Sequence, residues 1–557
     1  MAVTDQKIVP NYHERLLSQW KDSLVNNVRL CRASVDFGLD EYIMHFAASK
    51  KWRPKFVEDY LSDVESSKPT KTRELSSKMV ADVVESLIGA AYMCGGMSKA
   101  LECIALILPT SKSSKFKWQE IGLSRDKLFE YAPNDAILPK PLEPLEKAMG
   151  YTFTKKSLLI EAMTHPSCPG LGDNDSCYER LEFLGDAILD VIVVTRLMGE
   201  TGSNQLAHND MHEYLSAVVT ADIMAFLAME WVIMQIDVSE IDPAMLDALS
   251  HVSFSSRKPQ ITRDNLVSSK EVYPFWRFMR HNSSHVASAQ DVTQERYLAL
   301  RDDIRAAIWK KNRLPWELLA RMAPPKFYSD IVESLVGAVW IDSGGSWKTC
   351  EDVLNKMGLL PLLDHLLKTK AHVKHPNVEM TMLAPPNKRE TRTEFVIISN
   401  KRGVISRGTE FDDEVSAVDG GLVTVPEPYD DALGQEGEVF SCKLFIGGKK
   451  VADITGAATK EEARVRAAAE GCSTIKAEKK ARAKMHEAKK EAKKKAAYHA
   501  VGTAVDTAAD TAVDVAMDVT MDGASGDKEN EDTPDSNWEV VEVPPNGQDA
   551  DGDTVMN

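Results

Sequence analysis

The sequence predicts a mainly α-helical chain, with two related all-helical domains, then a small α+β domain and a disordered acidic tail. Three observations carry that prediction. The segment KMVADVVESLIGAAY (residues 78–92) returns 248 residues later as KFYSDIVESLVGAVW (residues 326–340), and both copies follow the apolar period of a helix. Past about His372 the pattern changes to alternation, as in Phe440, Cys442, Leu444 and Ile446. From Val501 to the end, fifteen Asp and Glu residues stand against one base, Lys528.

Taken in order, residues 1–110 form the first helical domain. Its repeated helix ends near Gly96, as the second copy ends near Gly344, and both glycines suit helix C-caps. A weaker match of LVNNVRLCRASVDFGL, from Leu24, with AVVTADIMAFLAMEWV, from Ala217, implies that the domains share further helices. Residues 111–140 are rich in Ser, Lys and Pro and read as a linker. The second helical domain, 141–371, opens with LEPLEKAMGYTFTKKSLLIEAMTHPS and carries a polar, aromatic-containing insertion from about Asp237 to Glu295 that no periodicity places. In 372–475, Gly447-Gly448 offers a two-residue hairpin turn, KKVADITG returns as a strand, and the helix TKEEARVRAAAEGCSTI follows. Residues 476–500 form a Lys/Ala-rich helix with basic residues on nearly all faces. Residues 501–557 carry Asp every four positions from Asp506 to Asp522 amid β-branched filler, which favours disorder.

With 43% hydrophobic residues and 10 Trp, the 557 residues hold apolar material for several cores. The formal net charge of −17 comes mostly from the tail, so it does not argue against a polyanionic partner of the body. The eight cysteines are scattered without a C-x-x-C pair and read as reduced thiols inside a cell. The N-terminus has no apolar core of signal-peptide type, so an intracellular protein of cytoplasm, nucleus or both is expected. Residues 217–236 reach membrane-spanning length but contain Asp222 and Glu230; they read as a buried core helix, and no membrane partner is expected.

The most informative segment is YERLEFLGDAILD, residues 178–190. Glu182 and Asp186 stand at i and i+4, on one face of a helix otherwise made of Leu, Phe, Ile and Ala. The repeated segment supplies a matching pair, Asp330 and Glu333. Four convergent carboxylates would raise one another's proton affinity, whereas divalent cations stabilise their ionised forms. Mg2+ is the natural occupant, and Mn2+ also fits. Such a site can activate water against a phosphodiester and stabilise the departing 3′ oxygen, with one or two metals. Either pair alone is better read as part of a solvated or salt-bridged helix surface. Gly185 and Gly337, beside the acids, favour convergence, because they would let two helices approach closely.

YERLEFLGDAILD closely resembles the ribonuclease III signature, and KFYSDIVESLVGA resembles that family's second acidic motif. By position, the resemblance implies that Glu182, Asp186, Asp330 and Glu333 are the catalytic, metal-binding set, with Glu179 a further signature acid near a domain interface. Lys326, repeated as Lys78, fits electrostatic support of the site or of a substrate phosphate, and equally a solvated lysine. His165 in AMTHPS also matches the family pattern and reads as structural. Tandem domains of this kind before a double-stranded-RNA-binding domain resemble Dicer-like enzymes. RLCRASVDFGLDEYI, KWRP and KKNRLPWELLARMAPPKFYSDIVESLVGA resemble the fungal members, over roughly residues 19–475. The resemblance implies Mg2+-dependent hydrolysis of double-stranded RNA to 5′-phosphate and 3′-hydroxyl ends, in small-RNA production, by two paired domains that each cut one strand. The alternatives are a non-catalytic double-stranded-RNA-binding or ribosome-associated protein that keeps the fold, and an RNA-independent scaffold.

The pattern breaks in two places. The first domain has Asp82 and Glu85 but no LEFLGD-like segment before them, and the repeat spacing sets that segment just upstream of Met1. The expectation is an N-terminally truncated first domain, one competent site and nicking of one strand, unless two second domains pair in a homodimer. In the C-terminal domain, GAATKEEARVRAAA resembles the RNA-binding helix start, with Lys460 and Arg464 as RNA-binding residues, but Glu461 stands where a lysine is expected. Prolines in HPNVEMTMLAPPNK weaken its first helix, so weak, shape-based binding is expected. The Lys-rich run fits phosphate contacts, a nuclear-import signal or a merely solvated helix. Cys442 and Cys472 lack the spaced partners of a zinc site.

Overall fold

Several helix starts in this chain are fixed by short polar caps. In the computed structural model, which describes residues 3–4, 7–8, 14–43, 76–109, 118, 121–168, 177–200, 205–237, 270–311, 313–383, 393–408 and 437–512, the first domain contains strands β1 (Val3–Thr4) and β2 (Lys7–Ile8) and helices α1 (Glu14–Val25), α2 (Asn27–Asp36) and α3 (Ser77–Ile107). Asn26 Oδ1 accepts from Arg29 N at 2.9 Å to start α2, and Ser76 Oγ accepts from Met79 N at 3.2 Å to start α3. The two helices pack through Leu30, Ala81 and Val84. Gly95 and Gly96 interrupt α3, with Gly96 at φ +66°. Among the described residues α3 is the one helix long and apolar enough to cross a membrane by length and composition, and its Met79, Leu87, Met93, Met97 and Leu106 are exposed.

The expected linker is partly ordered. Trp118 Nε1 donates to Leu108 O at 2.7 Å, at the end of α3. Helix α4 (Ile121–Tyr131) puts Leu128 into the second domain's core, and the buried Lys155 ammonium caps it by donating to Ala132 O at 2.7 Å and Glu130 O at 3.2 Å. Burying side chains of this size yields roughly 1.5–3 kcal/mol each, enough to hold a polar segment down at a few points.

The second domain is built around α12 (Phe327–Asp342), which is buried almost throughout. Preceding it are α5 (Glu143–Met149), α6 (Lys156–Ala162), α7 (Glu179–Met198), α8 (His208–Val218), α9 (Ala221–Glu230), α10 (Ser284–Lys311) and α11 (Trp316–Met322); α13 (Trp347–Met357) and α14 (Leu359–Thr369) follow. Thr220 caps α9 as Asn26 caps α2, and α9 packs on α12 as α2 packs on α3, so the weaker repeat is also structural. Residues 217–236 are not one helix: they break at Thr220, and the buried α9 gives way to strand β3 (Val232–Asp237). Strand β4 (Lys270–Pro274) pairs antiparallel with β3, and the end of the insertion begins α10. Residues 238–269 of the insertion lie outside the described residues.

The C-terminal module starts with α15 (Pro376–Leu383), which forms despite its prolines because Pro376 occupies the first turn. Strands β5 (Thr393–Ser399), β6 (Gly403–Gly408), β7 (Phe440–Ile446) and β8 (Lys449–Ala457) make an antiparallel sheet of order β6-β5-β7-β8. The β7–β8 turn falls at Gly447 and Gly448, with φ of +56° and +76°, the left-handed values such a hairpin requires. Helix α16 (Lys460–Ala512) is capped reciprocally: Thr459 Oγ1 accepts from Glu462 N at 2.9 Å, and Glu462 Oε2 accepts from Ala458 N at 2.8 Å. One face of α16 carries Ala463, Ala467 and Ala468 into the module core, while Val465 joins the core of the second domain. Thr459 Oγ1 donates to Ala320 O at 2.8 Å, and Arg321 donates to the fully buried Glu462 at 2.7 Å, tying the module to α11.

Two compact units result, Met1–Glu478 and Lys479–Asn557. Contrary to the expectation of disorder from Val501, α16 continues to Ala512, through an Ala-rich stretch whose propensity sustains a helix. The remainder of the expected disordered tail, 513–557, lies outside the described residues.

Candidate metal centre

Helices α7 and α12 meet backbone to backbone. A Cβ built on Gly185 would overlap the carbonyl of Glu333, and one built on Gly337 would overlap the carbonyl of Leu181. Only glycine permits this approach, and it brings the acids of the two helices onto one spot. One oxygen from each of Glu182, Asp330 and Glu333 lies within 4.8 Å of the others, and all three residues are buried. Among the described residues this is the one such group of potential ligands. Asp186, a turn beyond Glu182, is exposed at its edge, and its charge reaches Glu333.

The electrostatics follow from crowding. Burial, then the charges of Glu182, Asp330 and Asp186, push the Glu333 carboxyl up to about 9, with Lys326 opposing. The Lys326 ammonium, itself largely exposed, donates to Glu182 Oε1 at 2.5 Å and stands 3.5 Å from Asp330 Oδ1. Tyr178 Oη donates to Asp330 Oδ2 at 3.2 Å. Three buried carboxylates facing one ammonium hold an excess of negative charge that a hard, oxygen-seeking divalent cation would neutralise, so the donor set fits such an ion.

A pH dependence follows. Glu333 folds with its pKa raised from 4.5 to about 9, so between those values the native state holds a proton that the unfolded chain has lost. In a chelator, stability should therefore be greatest below pH 4.5, as far as this group is concerned, and decline as pH rises toward 9. Saturating divalent cation should flatten that decline, because the cation takes the proton's place. Thermal melts at several pH values with chelator or with Mg2+ check this; parallel slopes in the two series would contradict it.

The neighbouring residues are placed as follows. Arg180 pins the start of α7 to α6 through Glu161, at 2.5 and 2.8 Å. Glu179 is half-buried beside Cys177, outside the acid cluster. His165 lies edge-on against Tyr178 and Phe327, its Nδ1 is 2.9 Å from Ser167 Oγ, and burial, with the nearby His281, lowers its pKa to about 4, as suits a packed neutral imidazole. Asp190, a turn beyond Asp186, is half-buried, its carboxyl raised by burial and by Asp186 and eased by Lys21 of α1. Lys21 Nζ also stands 5.7 Å above the Phe183 ring, so α1 touches α7.

In the first domain Asp82 is partly exposed and held by Lys78 at 2.9 Å, and Glu85 is exposed. Gly89, the counterpart of Gly337, has no described atom within 4 Å of where a Cβ would stand. In the C-terminal module Lys460 is half-buried, and the Arg464 guanidinium, expected to face phosphate, lies 5.2 Å over the Phe395 ring. Cys442 is buried in the module core and Cys472 lies against Met380 and Pro376, so neither joins a ligand cluster among the described residues. The sequence reading missed Tyr178, whose position before α7 gives no periodic signal.

Residues 2–96 and 179–344 match the model of the ribonuclease III domain. The chain is 76% identical over 479 residues to Dicer-like protein 2 of Neurospora crassa, an alignment covering 86% of this chain and 31% of that protein. It is 37% identical over 467 residues to Dicer-like protein 2 of Cryphonectria parasitica, covering 83% and 29%, and 38% identical over 463 residues to Dicer-like protein 2 of Pyricularia oryzae, covering 83% and 28%. The chain thus spans about three tenths of the length of these curated relatives.

Proposed function

From the premise that this chain belongs to the ribonuclease III family, through residues 2–96 and 179–344, we propose that it is a Mg2+-dependent endoribonuclease of double-stranded RNA. The observation that carries the proposal is the buried convergence of Glu182, Asp330 and Glu333, from two helices locked together at Gly185 and Gly337. These three, with Asp186 at the rim, would hold the cation, for which Mn2+ can substitute. When bound, the cation supplies Lewis-acid stabilisation for hydrolysis to 5′-phosphate and 3′-hydroxyl ends. Lys326 pairs with Glu182 and Asp330 and presents its largely exposed ammonium where a phosphate would approach.

The described residues complete one such site. Asp82 and Glu85 face no third acid among them, so the reaction we assign to this chain is a nick in one strand. The contact of α1 with α7 at Lys21 and Phe183 supports a pairing of the two domains within one chain; a homodimer of second domains is the competing arrangement. We read the 372–475 module as a weak, shape-reading RNA-binding unit, with Lys460 and Arg464 as its basic positions toward phosphate. A role in producing small RNAs for silencing, inside the cell, completes the reading.

The test is incubation of end-labelled double-stranded RNA with the chain in Mg2+ or in chelator, with molar mass measured in parallel. Mg2+-dependent nicks in single strands are expected. Clean double cuts by a monomer would sink the one-site reading. Tight binding without scission would favour the non-catalytic RNA-binding protein, and neither binding nor scission the scaffold.

A further inference from the structure

Tyr178, the residue before α7, is only 4% exposed and sits where the two acidic helices meet. Its main chain is held on both sides: its N donates to Thr164 O at 3.0 Å, and its carbonyl accepts from Glu182 N at 2.8 Å. The ring packs edge-on against His165, with centroids 5.7 Å apart, leaving the hydroxyl aimed at Asp330 Oδ2, 3.2 Å away. The other carboxylate oxygen, Oδ1, faces Ser329 Oγ at 3.4 Å and Lys326 at 3.5 Å. Asp330 is thus gripped at both oxygens by groups of different kind.

We propose that Tyr178 is a positioning residue for the metal centre, its hydroxyl fixing the plane of the Asp330 carboxylate for the cation. The inference rests on the metal-dependent reading above. A carboxylate on a helix can rotate about its terminal torsion, and a cation held by several oxygens tolerates little misplacement. A buried donor on one oxygen removes that freedom while leaving the negative charge intact, which an ammonium cannot do as completely. Partners of this kind around metal ligands are typically worth about 10- to 100-fold in affinity.

Mn2+ titration of the full chain, followed by the electron paramagnetic resonance of the free ion, tests this. Tyr178→Phe deletes one oxygen and keeps the ring against His165; a midpoint raised about tenfold is expected, with a melting temperature in chelator close to wild type. In an Asp330→Asn background the same substitution should cost nothing further, since Tyr178 acts through Asp330. A 3,5-difluorotyrosine at position 178 keeps the hydroxyl, strengthens it as a donor and should bind Mn2+ at least as tightly as wild type. A folded Tyr178→Phe with the wild-type midpoint would overturn the inference, as would an equal loss in both backgrounds. Should Tyr178→Phe fail to fold, weaker Mn2+ binding by the fluorinated chain would overturn it alone. Absence of Mn2+ binding by the wild-type chain would instead overturn the metal-dependent reading itself.

Discussion

Glu333→Gln should reduce Mg2+-dependent cleavage by on the order of 10²–10³-fold while making the metal-free protein more resistant to heat at pH 8. The two effects share one cause. Glu333 is the acid whose carboxyl is pushed up to about 9 by burial and by Glu182, Asp330 and Asp186. At pH 8 without a cation, folding must therefore return a proton to a group that is ionised in the unfolded chain, and this opposes folding. A glutamine resembles the protonated acid in shape and charge, so it removes that opposition, but it brings no negative charge to a cation. Melts in chelator should show the variant above wild type at pH 8 and level with it near pH 4.5, and added Mg2+ should stabilise the variant much less. Cleavage at the wild-type rate, or identical pH profiles for the two proteins, would show that Glu333 takes no part in holding a cation.

Gly185→Ala should destabilise the second domain by on the order of 3 kcal/mol, whereas Gly89→Ala should stabilise the first by about 0.5–1 kcal/mol. Placing alanine for glycine within a helix ordinarily favours the helix, and Gly89, with no described atom near its would-be Cβ, should show that bare propensity. At Gly185 the added methyl would strike the backbone carbonyl of Glu333, which cannot swing aside as a side-chain end can. The helices must part, and the acids part with them. Urea denaturation of both variants gives the two signs, and Mn2+ affinity should fall in Gly185→Ala alone. Matching effects at the two positions would mean that the crossing is not close-packed in solution.

Much of this site was legible before any coordinates, because its cues are local. Carboxylates at i and i+4 on an apolar helix, a second pair in a repeated segment, and a glycine beside each pair lead to one convergence, and the structure has the glycines in contact with the opposite backbone. The hairpin at Gly447-Gly448 was legible for the same reason, since its φ values leave few other residues acceptable. What escaped depends on distant partners. Lys155, which donates to carbonyls at the end of α4, carries no local cue to that role. Arg464 reads as a phosphate contact until Phe395 is found beneath it. Thr459 and Glu462 carry the spacing of a capping box, yet nothing in that spacing tells that Arg321 will reach the same carboxylate. Tyr178 belongs with these, since its hydroxyl meets an acid 152 residues away.

Because Val465 lies in one core and its neighbours Ala463 and Ala467 in another, the start of α16 is shared by both, and the buried Glu462 fastens it to Arg321 at the end of α11. Only Met322, the left-handed Ala323 and a Pro-Pro pair separate that point from Lys326, the ammonium beside Glu182 and Asp330. The attachment of the module and the ammonium beside Glu182 and Asp330 therefore sit on one short, proline-stiffened piece of chain.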